Sequence, residues 1–369
     1  MREGSANSLV MKILPPTRCS SGINSCFFSN MMIPIDRGGR GGTLQSARFP
    51  FWKLRFTALA ALLFFSAFSF ADALRGTLVH EATLRVAPNV DAAKLTQVER
   101  GHELIILETS REWTHVQAII MEPPRERDEE ENEPKTITGW LLGKAVVTNN
   151  TPDGDKIIFG EAADSEDQAS RRRGRRDAAQ DAMRLYYRVY DLFPSSPLAA
   201  EGLYRAADIR WQMEKSDVMT RPSARDRDSY MRGQMDEEWM KLVMKKYPGT
   251  KWADLAAFHL IDNKLCGDWQ GAPKCPDKEA DTYEKYATEH PTSPAAPEAL
   301  YNAAWRRSAL IEIYKTDANQ KKSEESKSRS LALAQKIISQ YGQSDWASRA
   351  QKLIFYLQQG VPTYGNASD

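Results

Sequence analysis

Along residues 177 to 358 apolar positions recur at steps of three and four, the period of a helix with one buried face. Tyr186, Val189, Tyr190 and Phe193 form one such stripe, and Ala199, Gly202, Leu203 and Ala206 form the next. Between the two stripes stands Phe193-Pro194-Ser195-Ser196-Pro197, and related steps follow at Tyr247-Pro248-Gly249-Thr250, His290-Pro291-Thr292-Ser293-Pro294 and Tyr341-Gly342-Gln343-Ser344. Counted from the Pro (Gly342 in the last step), the intervals are 54, 43 and 51 residues. Two positions on stands a helix-capping hydroxyl: Ser196, Thr250, Ser293 or Ser344. Five positions on stands Ala199, Ala253, Ala296 or Ala347, and eight on a small residue, Gly202, Ala256, Ala299 or Ala350. Pro197 and Pro294 follow the cap, where a missing amide costs nothing. The spacing predicts stacked helical hairpins, because one hairpin cannot bury its own apolar face. Polar stretches near 217 to 229 and 315 to 329 are expected to be long connecting loops.

The pattern ahead of this region is different. Between residues 74 and 148 short alternating runs, Gly76 to His80, Leu104 to Glu108, Trp113 to Ile120 and Ile137 to Leu141, are separated by turn residues and predict β-strands. Leu84 and Val86 are expected to alternate into a thin core, with Pro88 ending their strand, Trp113 and Trp140 each bringing large apolar area to it, and Gly139 permitting a bend next to the bulky ring. The Pro-flanked acidic run from Glu122 to Pro134 reads as a solvated loop insertion or an acidic arm.

These residues carry two resemblances. Ala82-Thr83-Leu84-Arg85-Val86-Ala87-Pro88, Gly101 before Leu104-Ile105-Ile106-Leu107, Trp113-Thr114-His115-Val116 and Gly139-Trp140-Leu141 together resemble the bacterial SH3-type domain. The aromatic-Pro-cap-Ala step resembles the tetratricopeptide-like repeats of bacterial envelope proteins, such as the outer-membrane barrel-assembly lipoprotein and the periplasmic repeat protein of the Tol-Pal system. The intervals exceed the usual repeat length of those arrays, and no lipobox Cys is present. The implied fold class is multidomain: a small all-β SH3-like barrel followed by an all-α helical-hairpin repeat array. The implied partners are envelope proteins for the repeats and peptidoglycan or a protein for the β domain.

Six segments follow. Residues 1–50, rich in Ser, Gly and Arg, are a disordered or miscalled leader. Residues 51–73 hold basic Lys53 and Arg55, an apolar run to Phe70, and Ala71-Asp72-Ala73, the layout of a signal peptide or of an uncleaved anchor. Residues 74–148 are the β domain, 149–176 an interdomain linker, 177–358 the helical repeats and 359–369 a tail. Export to the periplasm is the localisation this order implies.

Composition adds limits. A formal net charge of +1 favours neither a nucleic-acid partner nor an acidic carrier. Arg171, Arg172, Arg173, Arg175 and Arg176 are expected to open the first long helix, as a solvated face or as a contact for an anionic surface. Cys266 and Cys275 flank a Gly/Pro loop, and in an exported chain they predict a disulfide. The competing reading makes Cys266 a nucleophile served by His259 or His290. His80, His102 and His115 lack the short paired spacing of a metal site, and Tyr283, Tyr286 and Tyr301 at helical spacing read as core. No catalytic residue, metal site or cofactor is therefore assigned. The function expected is a non-enzymatic envelope scaffold. The alternatives are an outer-membrane assembly or division component, and a cell-wall hydrolase or its accessory subunit.

Overall fold

The computed structural model describes residues 74–120 and 135–364, which belong to one compact unit. The leader, the signal-like segment and the acidic run lie outside the described residues.

The alternating segments form an antiparallel sheet of seven strands: β1 (Arg75–Leu78), β2 (Ala82–Arg85), β3 (Lys94–Val98), β4 (Glu103–Ser110), β5 (Trp113–Ile120), β6 (Lys135–Leu142) and β7 (Val146–Thr148). The spatial order is β3-β2-β6-β5-β4-β1-β7. Its core is aliphatic, with Leu78, Leu84, Val98, Leu104, Val116 and Leu141 almost free of solvent. Val86 is not part of it. β2 ends at Arg85, and Val86 beyond it is 54% exposed. Trp113 and Trp140 are not core residues either, because the β5–β6 register sets Trp113 opposite Leu142 and His115 opposite Trp140. That row alternates with the buried Thr114, Val116 and Leu141, so the pleat turns both indoles away from the core. Trp140 instead stacks on His115 with ring centres 4.8 Å apart. Gly139 has a different role from easing a bend around a ring. A Cβ there would come within 2.8 Å of Arg85 O, so glycine lets β2 cross close to β6.

Residues 149–176 do more than connect. They contain helix α1 (Gly154–Ser170), whose Ile158 and Ala162 are buried against Ala182 and Leu185 of α2 (Ala178–Leu192). Val79, just after β1, and Val147 of β7 join the same cluster, so sheet and helices share one continuous core. Polar contacts reinforce this junction. Arg184 Nε donates to Arg100 O at 2.9 Å and Arg188 Nε to Gly101 O at 3.2 Å. Arg75 and Arg188 both reach Asp191 and Glu103. Gly101 has φ +75°, and a Cβ would meet Arg184 Cβ at 2.5 Å, so no other residue fits this close approach.

The remaining helices come in antiparallel pairs: α2 with α3 (Ala199–Thr220), α4 (Glu238–Lys246) with α5 (Lys251–His259), α6 (Lys274–Glu289) with α7 (Ala296–Thr316), and α8 (Gln320–Gln340) with α9 (Asp345–Gln359). The hydroxyls act near the helix starts in three of the four steps. Of these, only Thr250 is an N-cap that accepts from its helix, through Oγ1 from Ala253 N. Ser196 Oγ and Ser293 Oγ accept from Leu198 N and Ala295 N, which are themselves the N-cap residues of α3 and α7, so these two hydroxyls hold the turn ahead of the helix. Ser344 holds the N-cap position of α9, and its hydroxyl donates back to Tyr341 O. Alanines and glycine at the small positions, Ala199, Gly202, Ala256, Ala296, Ala299 and Ala350, are buried and admit the aromatic stripe of the preceding helix.

The polar stretch 315 to 329 is not a loop. α7 ends at Thr316, three residues turn the chain, and α8 starts at Gln320 under the Asn319 cap. Ser323, Ser326 and Ser330 form a buried face: Ser323 Oγ donates to Ile311 O at 3.0 Å and Ser330 Oγ to Ala304 O at 2.7 Å. A hydroxyl that finds a carbonyl on the next helix is a small core residue, which a polar count does not distinguish from a solvated one. By contrast, α3 continues to Thr220, and the residues after it to Glu237 are irregular apart from two short 3₁₀ turns.

Candidate functional site

The pairs differ in length, and the difference opens a groove. α3 has 22 residues and α7 has 21, whereas α5 between them has only 9. α5 stops at His259, and the chain runs through a 3₁₀ turn, Asp262–Lys264, into the loop bounded by Cys266 and Cys275. Where α5 ends, its long neighbours line a groove of 580 Å³. Its apolar lining is Leu255, Phe258, Leu265, Pro294 and one side of Tyr204 and Tyr283, and its polar lining is Lys215, His259, Asp262, Glu298 and Asn302.

Most of these polar groups are held by the fold. His259 Nε2 bonds Tyr204 Oη at 3.2 Å. Asp208 Oδ1 is equally close to that nitrogen but is buried and without a hydrogen bond, so its effect on the ring is electrostatic. Asp262 receives the Trp211 indole N–H at 3.2 Å and Lys215 Nζ at 2.8 Å. Glu298 and Asn302 differ. They stand four apart on α7, hence on one helical face, and neither side chain has a hydrogen-bond or ion-pair partner among the described residues. Burial pushes the Glu298 carboxyl above the usual carboxylate range against the pull of His259, and Asp262 adds to the rise. Burial likewise raises the phenols of Tyr204 and Tyr283, the latter to about 12, so both stay neutral donors.

Below the groove a second cluster fixes the loop. Cys266 and Cys275 Sγ are bonded at 2.17 Å. Glu279, 2% exposed, accepts from Cys266 N at 2.8 Å, Trp269 Nε1 at 3.3 Å and Arg306 Nε at 2.6 Å. Trp269 in turn stacks on Tyr364, and Gly271 N donates to Tyr364 Oη at 3.1 Å. The end of the described chain is thereby held against the disulfide loop.

No protein-family model matches this chain, and no curated protein matches it.

The residues singled out in the sequence are dispersed. Cys266 Sγ is in the disulfide, His259 faces Tyr204 and Asp208, and His290 Nδ1 faces Asp254 at 2.8 Å. The arginine run does not open a helix, because α2 starts only at Ala178 and the run forms the turn before it. Arg171 pairs with Asp167 and Arg175 with Asp181, while Arg172, Arg173 and Arg176 point to solvent. His80 and His102 each lie 3.6 Å from a glutamate. Among the described residues no group of three His, Cys, Asp or Glu is placed to hold a metal ion. Tyr283 and Tyr286 are core residues, each 5% exposed, and Tyr301 packs on Trp346. Tyr283 serves two surfaces, since its accessible edge lines the groove. Glu298 and Asn302 were not singled out by sequence.

Proposed function

We propose that the protein is an exported, non-enzymatic scaffold of the cell envelope, in which an SH3-type module contacts peptidoglycan or a protein and tetratricopeptide-like hairpins bind a protein partner. The observation that carries this reading is the groove across the helical pairs: a mixed apolar and polar channel framed by rigid helices, the form in which helical arrays present binding surfaces. The Cys266–Cys275 bridge supports an oxidising compartment, because such bonds are rare in reducing cytosol. The continuous core between sheet and first helices supports a single rigid body, which suits a scaffold that presents two surfaces in fixed register. The three solvent-facing arginines of the turn before α2 add a contact for an anionic surface such as phospholipid or wall polymer.

The test is fractionation of cells producing the full chain, followed by co-sedimentation of the purified product with isolated peptidoglycan and non-reducing mass spectrometry. The expected result is a cleaved, disulfide-bonded chain in the envelope fraction that pellets with the wall polymer. Recovery of an uncleaved, reduced chain from the cytosol overturns the export reading. Absence of pelleting removes the wall-binding part.

A further inference from the structure

The groove contains a chemical mismatch that the fold itself does not resolve. Asp262 and His259 have partners, and the apolar lining is continuous with the core, but the side chains of Glu298 and Asn302 on α7 have no hydrogen-bond or ion-pair partner among the described residues. Glu298 is only partly exposed, so leaving water without a partner has a cost that its lifted protonation range records. A neutral amide beside it, one turn along the same helix, offers both a donor and an acceptor. The rings of Phe258, Tyr204 and Tyr283 line the same groove.

We propose that this groove binds an extended segment of a partner protein carrying a lysine or arginine, with Glu298 receiving the cationic head and Asn302 the adjoining peptide bond. The assignment rests on the reading of the helical pairs as a partner-binding surface and specifies its chemistry. Charge selects a cation: of the charged groups lining the groove, Lys215 is committed to Asp262, which leaves Glu298 as the carboxylate without an ion-pair contact among the described residues. The apolar stem of a long basic side chain matches the rings, which also attract its charge. The amide one turn away selects a peptide over a simple metal cation, because it can satisfy one N–H and one C=O at once. Binding takes Glu298 to its charged form, opposed by burial and by Asp262 of the 3₁₀ turn and favoured by His259 of α5, Lys215 of α3 and Arg349 of α9. Affinity therefore falls on acidification through the range where that carboxyl gains a proton.

The experiment uses the full chain and a fluorescein-labelled alternating Lys-Ala peptide, with the Glu-Ala peptide as counterpart, read by fluorescence anisotropy. The Lys-Ala peptide is expected to bind and the Glu-Ala peptide not. Glu298→Gln, which removes no contact within the fold, is expected to weaken binding by about tenfold or more, and Glu289→Gln on the exposed side of α6 to leave it unchanged. A Lys-Ala peptide carrying a benzophenone amino acid is expected to cross-link to residues that line the groove, located by mass spectrometry. Failure of the Lys-Ala peptide to bind, equal binding by Glu298→Gln, or equal loss in Glu289→Gln overturns the assignment, as does a cross-link that does not form. The same protein's co-sedimentation with peptidoglycan reads the envelope function independently, so loss of one result without the other shows which of the two proposals has failed.

Discussion

Arg210 and Arg307 occupy the same place in their repeats, sixteen residues beyond Pro194 and Pro291, and meet different surroundings. Arg307 is 2% exposed and is held by Asp277, Asp281 and Glu284 of α6, with Arg329 of α8 closing the cluster from the next pair. Arg210 stays partly open, bonds Glu214 and Asp236, and lies over the Trp239 ring at 4.9 Å. The repeat offset determines which helical face a residue stands on. What covers that face depends on the length of the neighbouring helices. α7 is followed after three residues by the 21-residue α8, while α3 is followed by an irregular segment and a 9-residue helix. Full-length neighbours seal a polar cluster. A short neighbour leaves a groove.

This contrast can be broken by experiment. Arg307→Ala is expected to destabilise the chain by about 3 kcal/mol, because it strips a buried charge from three carboxylates, whereas Arg210→Ala is expected to lose less than about 1 kcal/mol. Urea denaturation measures both, and equal losses would show that neighbour length does not matter. Cys275→Ser is expected to cost about 2 to 3 kcal/mol through the freed loop, and to release Trp269 from Tyr364, seen as a change in tryptophan emission. An unchanged denaturation midpoint would mean that Glu279 alone holds the short segment after α5.

Ser330→Ala tests the sealed side more gently, with an expected loss of about 1 kcal/mol for one buried hydrogen bond. A loss no larger than that of an exposed serine such as Ser328 would return the α8 serines to the status of solvent-facing residues. The smallest effect concerns the open side. The Glu298 carboxyl is raised in the fold, so its contribution to stability is complete below its unfolded range and declines as pH rises through its folded one. Glu298→Gln is therefore expected to melt slightly higher than the parent at neutral pH and at the same temperature in acid. A lower melting temperature at neutral pH would reveal a partner for Glu298 within the fold.

Much of the helical part was legible because its signals are local. The Thr250 cap, the Ser293 turn, the alanines on the second helices and the apolar stripe of Tyr186 and Val189 act within one or two turns of their own positions. The β part was read less well in its details. Alternation located the strands, but the face on which Trp113 and Trp140 fall depends on their pairing with Leu142 and His115, and register is a property of two strands. The serines from Ser323 to Ser330 show the same limit from the polar side. Their chemistry suits a loop or a tight helix contact equally, and only the carbonyls of Ile311 and Ala304 distinguish the two. α1 was missed because its buried positions, Ile158 and Ala162, are few and lie among acids.

By itself, then, the sequence determined the β-then-α order, the helical pairs, the Thr250 cap and the closeness of Cys266 to Cys275, since each depends on residues near one another in the chain. Tertiary structure decided which rings are buried, that sheet and helices share a core, and that Glu298 and Asn302 stand unpartnered in a groove. Those outcomes depend on contacts between distant segments, and above all on α5 ending well before the helices on either side of it.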